Sequence, residues 1–308
     1  MPSVRVPHLV ALAAGVVVGL GACGGGDAPA TTTATTTSTK TTKKSAPALC
    51  GRLRARVAGR VTAPQATELS GLVLSPTQPG VLWSHNDSGD RARLFALRTD
   101  GSLIASLDVP GADAVDWEDI AVGPGDELLV GDIGDNRLAR ASVDVYRVPE
   151  PRLADGRSVT AAATRLRMRY PDGAHDAETL LADRRTGEIV IVTKRLDGNS
   201  GVYAASVSDP SLRADGSLRL GLGGLATAGD VSADGTIVAV RTYTALYVWS
   251  RRPGATIAQT LRRTPCVGSA QLVREGQGEA LALSRDGRSF FTVAEGASPA
   301  LRQYTTRK

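Results

Sequence analysis

The stretch Glu68-Leu69-Ser70-Gly71-Leu72-Val73-Leu74, followed after a Pro-Gly turn by Val81-Leu82-Trp83-Ser84-His85, sets the pattern for the rest of the chain. An acidic residue opens a short apolar strand. Polar residues and glycine turn the chain, and a second strand returns. Strands over 94–98 and 103–109 complete the unit. The same opening recurs as Glu118-Asp119-Ile120-Ala121-Val122, Glu178-Thr179-Leu180-Leu181, Asp230-Val231-Ser232-Ala233 and Glu279-Ala280-Leu281-Ala282-Leu283. Short apolar runs bounded by Gly, Asp, Asn and Pro are strands joined by tight turns, and helical periodicity is almost absent beyond Cys50. A four-stranded unit recurring about every 50 residues is the mark of a propeller blade. The expectation is an all-β chain, a β-propeller of five blades, with six blades as the nearest alternative. The last unit lacks one strand. Residues 53–61 can supply it, so that an amino-terminal strand closes the ring.

The 308 residues are 42% hydrophobic and 22% charged, which excludes global disorder. Aromatic residues, at 4%, are too few for a stacking surface. The net charge of +5 falls mostly on residues 1–49, where Arg5, Lys40, Lys43 and Lys44 stand against Asp27. The remainder is nearly balanced, so no nucleic acid is expected as a partner. Arg5 precedes an apolar stretch over 9–20, a secretory pattern shorter than the roughly 20 residues of a membrane span. It closes on Leu20-Gly21-Ala22-Cys23, which resembles the bacterial lipobox and implies cleavage before Cys23 and lipid on its sulfur. The expected organisation is a signal peptide over 1–22, a lipidated cysteine with a flexible Thr/Lys-rich tether over 23–49, and the propeller over 50–308. The expected location is the extracytoplasmic face of the cell membrane, held by the lipid anchor. Cys50 and Cys266 then remain as an even pair in an oxidising compartment, where a disulfide is favoured over two buried thiols. Zinc chemistry has no CxxC to rest on.

In a propeller the first strand of each blade lines the central channel. Glu68, Glu118, Glu178, Asp230 and Glu279 would then form one ring. Five crowded like charges repel, and a hard, oxygen-liganded cation such as calcium removes the conflict. The alternative is a ring satisfied by water and neighbouring Arg or Ser. A second acidic set comprises Asp87, Asp116, Asp119, Asp132, Asp135 and Asp176. Asp132 and Asp135 lie in a Gly-rich turn and read as turn caps, whereas Asp116 and Asp119 flank Glu118 near the channel mouth. His85 and His175 read as hydrogen-bonded residues at strand ends. Arg241 and Lys194-Arg195 stand at second-strand ends, able to neutralise channel acids. The heavy use of arginine across the chain favours a surface place for them. Neither a G-x-S-x-G elbow nor a P-loop is present.

The phrases Glu68-Leu69-Ser70-Gly71, Asn86-Asp87-Ser88-Gly89, Asp116-Trp117-Glu118-Asp119-Ile120-Ala121 and Gly131-Asp132-Ile133-Gly134-Asp135-Asn136 resemble a group of secreted actinobacterial WD40-like propeller lipoproteins. The strand openings also resemble, more weakly, esterase-like phytase and SdiA-regulated propellers. Five-bladed calcium-dependent apyrases are similar in placing strand-opening acids and serines around an axial calcium. The first likeness implies a propeller and carries no settled activity; the last stops at the ring of acids, because the apyrases' nucleotide-handling residues have no match here. The expected role is a membrane-tethered module that binds an extracytoplasmic protein or small molecule. The alternative is a metal-dependent esterase- or phosphatase-like hydrolase using channel-mouth carboxylates.

Overall fold

Five antiparallel sheets of four strands each account for nearly all the regular structure. The computed structural model describes residues 47–154, 157–159, 162–221, 223–267, 272 and 275–306, all within the unit Ser45–Lys308. The expected signal peptide, Cys23 and most of the expected tether lie outside the described residues. Among those described, no helix is long and apolar enough to cross a membrane.

Blade one runs Leu69–Leu74, Val81–Asn86, Arg93–Arg98 and Leu103–Asp108. Blade two runs Trp117–Val122, Leu128–Asp132, Val143–Val148 and Thr164–Met168, with a small hairpin, Arg152–Ala154 and Arg157–Val159, inserted before its last strand. Blade three runs Ala177–Ala182, Glu188–Thr193, Asn199–Ser206 and Asp209–Arg219. Blade four runs Ala226–Val231, Ile237–Thr242, Leu246–Ser250 and the short Cys266–Val267, with a one-turn helix, Ile257–Leu261, before the last strand. Blade five takes Gly278–Leu283, Ser289–Ala294 and Ala300–Thr306 from the end of the chain and Leu53–Arg60 from its start. The ring therefore has five blades and not six, and its two ends close as one sheet.

Each blade is apolar on both faces because each face meets a neighbour. Five apolar clusters fill the five gaps. Trp83, Leu94, Trp117 and Tyr146 join blades one and two. Leu129, Val145, Leu180 and Ile191 join two and three. Leu181, Val190, Val238 and Trp249 join three and four. Ala239, Val248, Leu281 and Phe290 join four and five. Leu82, Phe95, Ala280 and Phe291 return to blade one. Each large side chain fully buried there contributes about 1.5–3 kcal/mol.

Leu53 pairs with Thr306, and Ser289 with Thr305, whereas Gly278 pairs with Ala294. The chain thus enters blade five at the end opposite Glu279. Cys50 and Cys266 form a disulfide beside that entrance, with Cα atoms 5.6 Å apart. It bolts the start of the closing strand to blade four.

Candidate metal centre

One amide closes the first hairpin of every blade: Ser75, Gly123, Asp183, Ser232 and Ser284. Five places earlier stand Ser70, Glu118, Glu178, Thr227 and Glu279, all buried. In four blades this residue is a bulge that the ladder skips, as the register passes from Trp117 to Asp119, Ala177 to Thr179, Ala226 to Ala228 and Gly278 to Ala280. A bulge re-aims its side chain, and that is how this position comes to face the channel.

The expected ring is therefore corrected in two blades. Glu68 stands two places before the ring, level with Asp116 and Asp176, and is exposed at the mouth. Asp230 stands three places after it. Its carboxylate accepts from Val231 N and Leu283 N, each at 2.7 Å, and ties blade four to blade five. Hydroxyls fill the two vacated places. Ser70 Oγ donates to Glu118 O at 2.5 Å, and Thr227 Oγ1 donates to Gly278 O at 3.1 Å. The ring proper holds three acids: Glu118, Glu178 and Glu279.

More acids reach this ring from the loops above it. Asp87 follows the second strand of blade one. One oxygen from each of Asp87, Asp116 and Glu118 lies within 4.8 Å of the others, and the same holds for Asp87, Glu279 and Glu295. Asp116 is held by its own backbone: its amide donates to Asp132 Oδ1 at 3.1 Å, while Arg140 Nη1 donates to the same oxygen at 2.7 Å. Asp135 accepts from Ala139 N and Arg140 N, the turn-capping role expected of it, and its own amide donates to Asp176 Oδ1 at 2.9 Å. Gly134 permits the approach of two carboxylates. A Cβ there would strike Glu118 Oε1 and lie 2.5 Å from Asp116 Oδ2.

The channel is closed below the ring. Asp119, fully buried, sends Oδ2 to Leu180 N of blade three at 2.8 Å and to Gly229 N of blade four at 3.0 Å. A side chain of blade two can reach blade four only across the axis, so this carboxylate plugs the well. Gly71, at φ +68°, clears the way: a Cβ there would meet Asp119 Cα at 2.9 Å.

The electrostatics follow from burial and crowding. Burial pushes Asp87 up to about 7, helped by the charges of Asp116, Glu279 and Glu68. Burial raises Glu118 well above the carboxylate range, with Glu178 and Asp87 adding to it. Glu178 rises to about 8 by burial despite the opposing charge of Lys194. Glu295 rises to about 9 by burial and by its hydrogen bond with Glu279. Without an ion the cluster holds protons. Glu118 Oε2 and Glu178 Oε2 are buried with no hydrogen-bond partner. Unpaired buried carboxylate oxygens cost free energy that a hard cation with Ca–O bonds near 2.4 Å removes. Asp87, Asp116 and Glu118 fit such an ion in charge and spacing.

The basic and imidazole groups divide sharply. Lys194 Nζ donates to Glu178 Oε1, and Tyr243 OH donates to Glu279 Oε1 at 2.9 Å. Arg241, for which arginine's abundance favours the surface, is instead wholly buried. It donates to Ala280 O at 2.8 Å and pairs with buried Glu275 at 3.4 Å. His85 is buried, its Nδ1 lies 2.9 Å from Asn86 O, and burial lowers it to about 4. His175 Nε2 lies 3.0 Å from Asp172 Oδ1 and 2.8 Å from Tyr203 OH. Beside the ring opens a cavity of about 570 Å³, lined by Asn136, Leu138, Asp176, Lys194 and Leu196 among others.

Sequence reasoning passed over Glu295 and Tyr243, which arrive on loops with no pattern of their own. It also left Asp87 outside the ring. The readable signal was Lys194, the sole lysine between residues 45 and 307.

No family model matches the chain, and no curated protein matches it. Among solved structures it is similar to a gluconolactonase of Xanthomonas campestris, with 15% identity over 85% of this chain and 97% of that one, at a TM-score of 0.42. It is similar to U3-55K, with 12% identity over 82% of this chain and 98% of that one, at a TM-score of 0.41. The Dos1 propeller gives 12% identity over 79% of this chain and 59% of that one, at a TM-score of 0.37. The blade count rests on strand pairing within this chain.

Proposed function

We propose that this chain is a membrane-tethered, extracytoplasmic propeller that binds a protein or small-molecule ligand at its acidic mouth. A calcium ion at that mouth is held by Asp87, Asp116 and Glu118. The observation that carries the ion is Glu118 itself: 1% exposed, one oxygen unpartnered, and grouped with two further carboxylates. The lipid anchor at Cys23 rests on the lipobox-like Leu20-Gly21-Ala22-Cys23.

Calcium binding only to the folded state stabilises it by about 2.7 kcal/mol at a hundredfold excess over Kd. The melting temperature should rise with calcium and fall on prolonged chelation. A melting curve indifferent to both rejects the ion. One observation favours the hydrolase as a second reading: the cavity beside the ring shares Asp176 and Lys194 with the acidic mouth. Turnover of aryl and phosphate esters by the calcium-loaded protein tests it. Complete inactivity leaves the binding module.

A further inference from the structure

In a chain whose basic residues are otherwise almost all arginine, the one lysine between residues 45 and 307 stands at the ring. Lys194 directly follows the second strand of blade three, Glu188–Thr193. Its ammonium pairs with Glu178 Oε1 and lies 5.7 Å from the centre of the Tyr243 ring, whose hydroxyl donates to Glu279. The other oxygen of Glu178, a residue 3% exposed, has no hydrogen-bond partner. The mouth thus has two unequal halves. Among the described residues, no lysine or arginine hydrogen-bonds to Asp87, Asp116 or Glu118. On the other side, Glu178 and Glu279 already hold the ammonium and the phenol.

We propose that the Lys194 ammonium is a tethered counter-ion standing in for a second divalent cation, so that the mouth accepts one divalent ion rather than two. This inference rests on the cation reading above. The residue type suits the task. A lysine head is a compact point charge with three donors on a flexible stem, close to a small cation in an oxygen-lined site. A planar guanidinium needs a wide, flat, bidentate partner. With the ammonium gone, Glu178 recovers both oxygens beside Glu279, whose charge already acts on it, and Glu279 in turn groups with Glu295.

The test counts calcium bound per full-length chain at saturation by equilibrium dialysis. The wild type should take one ion. Lys194→Met and Lys194→Gln should each take two, and adding Glu178→Gln to either should return the count to one. One ion in the wild type and one in both single variants, at unchanged affinity, overturns the inference and leaves the cation reading standing. No ion in the wild type overturns both. A variant that folds only when calcium is present supports the inference, because the ion has then replaced the ammonium. Failure of both variants to fold with or without calcium overturns it, because the ammonium is then not exchangeable for a divalent ion.

Discussion

At Glu118 two demands meet: the side chain is buried, and other carboxylates crowd it. The sign of a substitution there is diagnostic. In chelator, Glu118→Gln should raise the melting temperature, because a neutral amide relieves both demands. In calcium it should lower it relative to wild type, because a ligand is lost. A variant more stable in both buffers speaks against the ion. Gly134→Ala tests the cradle without replacing a ligand. The added Cβ displaces Glu118 and Asp116, and calcium affinity should fall about tenfold or more, some 1.4 kcal/mol, in a calorimetric titration. Arg241 tests a different burial. Arg241→Met leaves Glu275 with only Arg302, 3.3 Å away, as a cation. Breaking a buried pair in this way costs about 3–5 kcal/mol. Urea unfolding reads that loss, and a near-neutral result shows that Arg302 and Thr292 suffice for Glu275.

At the scale of strands and turns, the sequence announces blades clearly because each turn needs Gly, Asp, Asn or Pro, and each strand buries both faces. Strand count and the closing role of the amino-terminal strand were legible for that reason. The ring was only partly legible. An acid near the start of a first strand can serve three purposes. Glu118 fills the ring, Glu68 sits above it, and Asp230 ties blade to blade below it. Periodicity sees one pattern in all three. The bulge position emerges only by counting back from the hairpin amide, and at Ser70 and Thr227 it carries no charge to notice. Asp87 and Glu295 come from second-to-third-strand loops, whose convergence depends on ring closure and not on local spacing. The disulfide belongs to this scale too. Its span of 216 residues gives a chain-entropy stabilisation of up to roughly 5 kcal/mol. Paired Cys50→Ser and Cys266→Ser substitutions should lower unfolding stability by up to that amount. Thiol titration of the unreduced, unfolded wild type should find neither cysteine reactive.

For the molecule as a whole, the raised carboxylates set a pH dependence of definite sign. Asp87 and Asp230 near 7, Glu178 near 8 and Glu295 near 9 keep their protons in the folded chain at pH values where the unfolded chain has lost them. His85, lowered to about 4, acts in the opposite direction below about 6.5, but it is one group against several raised carboxylates, so the folded state binds more protons in net and stability falls as pH rises toward 9. Melting temperatures measured in chelator should decline with it. Saturating calcium should remove the share of the decline due to Asp87 and Glu118, which then hold the ion instead of protons, and leave the share due to Asp230, which Asp230→Asn should remove. An increase with pH in chelator contradicts the assignment. The closing sheet has a further consequence, and it concerns time. Leu53–Arg60 is among the first folded-region segments synthesised, and its partner Ala300–Thr306 is among the last. Contacts so distant in sequence make folding slow, because loop closure is paid before any pairing repays it. Until the last strand arrives, blade five stands open with unpaired edges. The folded region therefore cannot lock until its last strand has been made, however early the other four blades are complete.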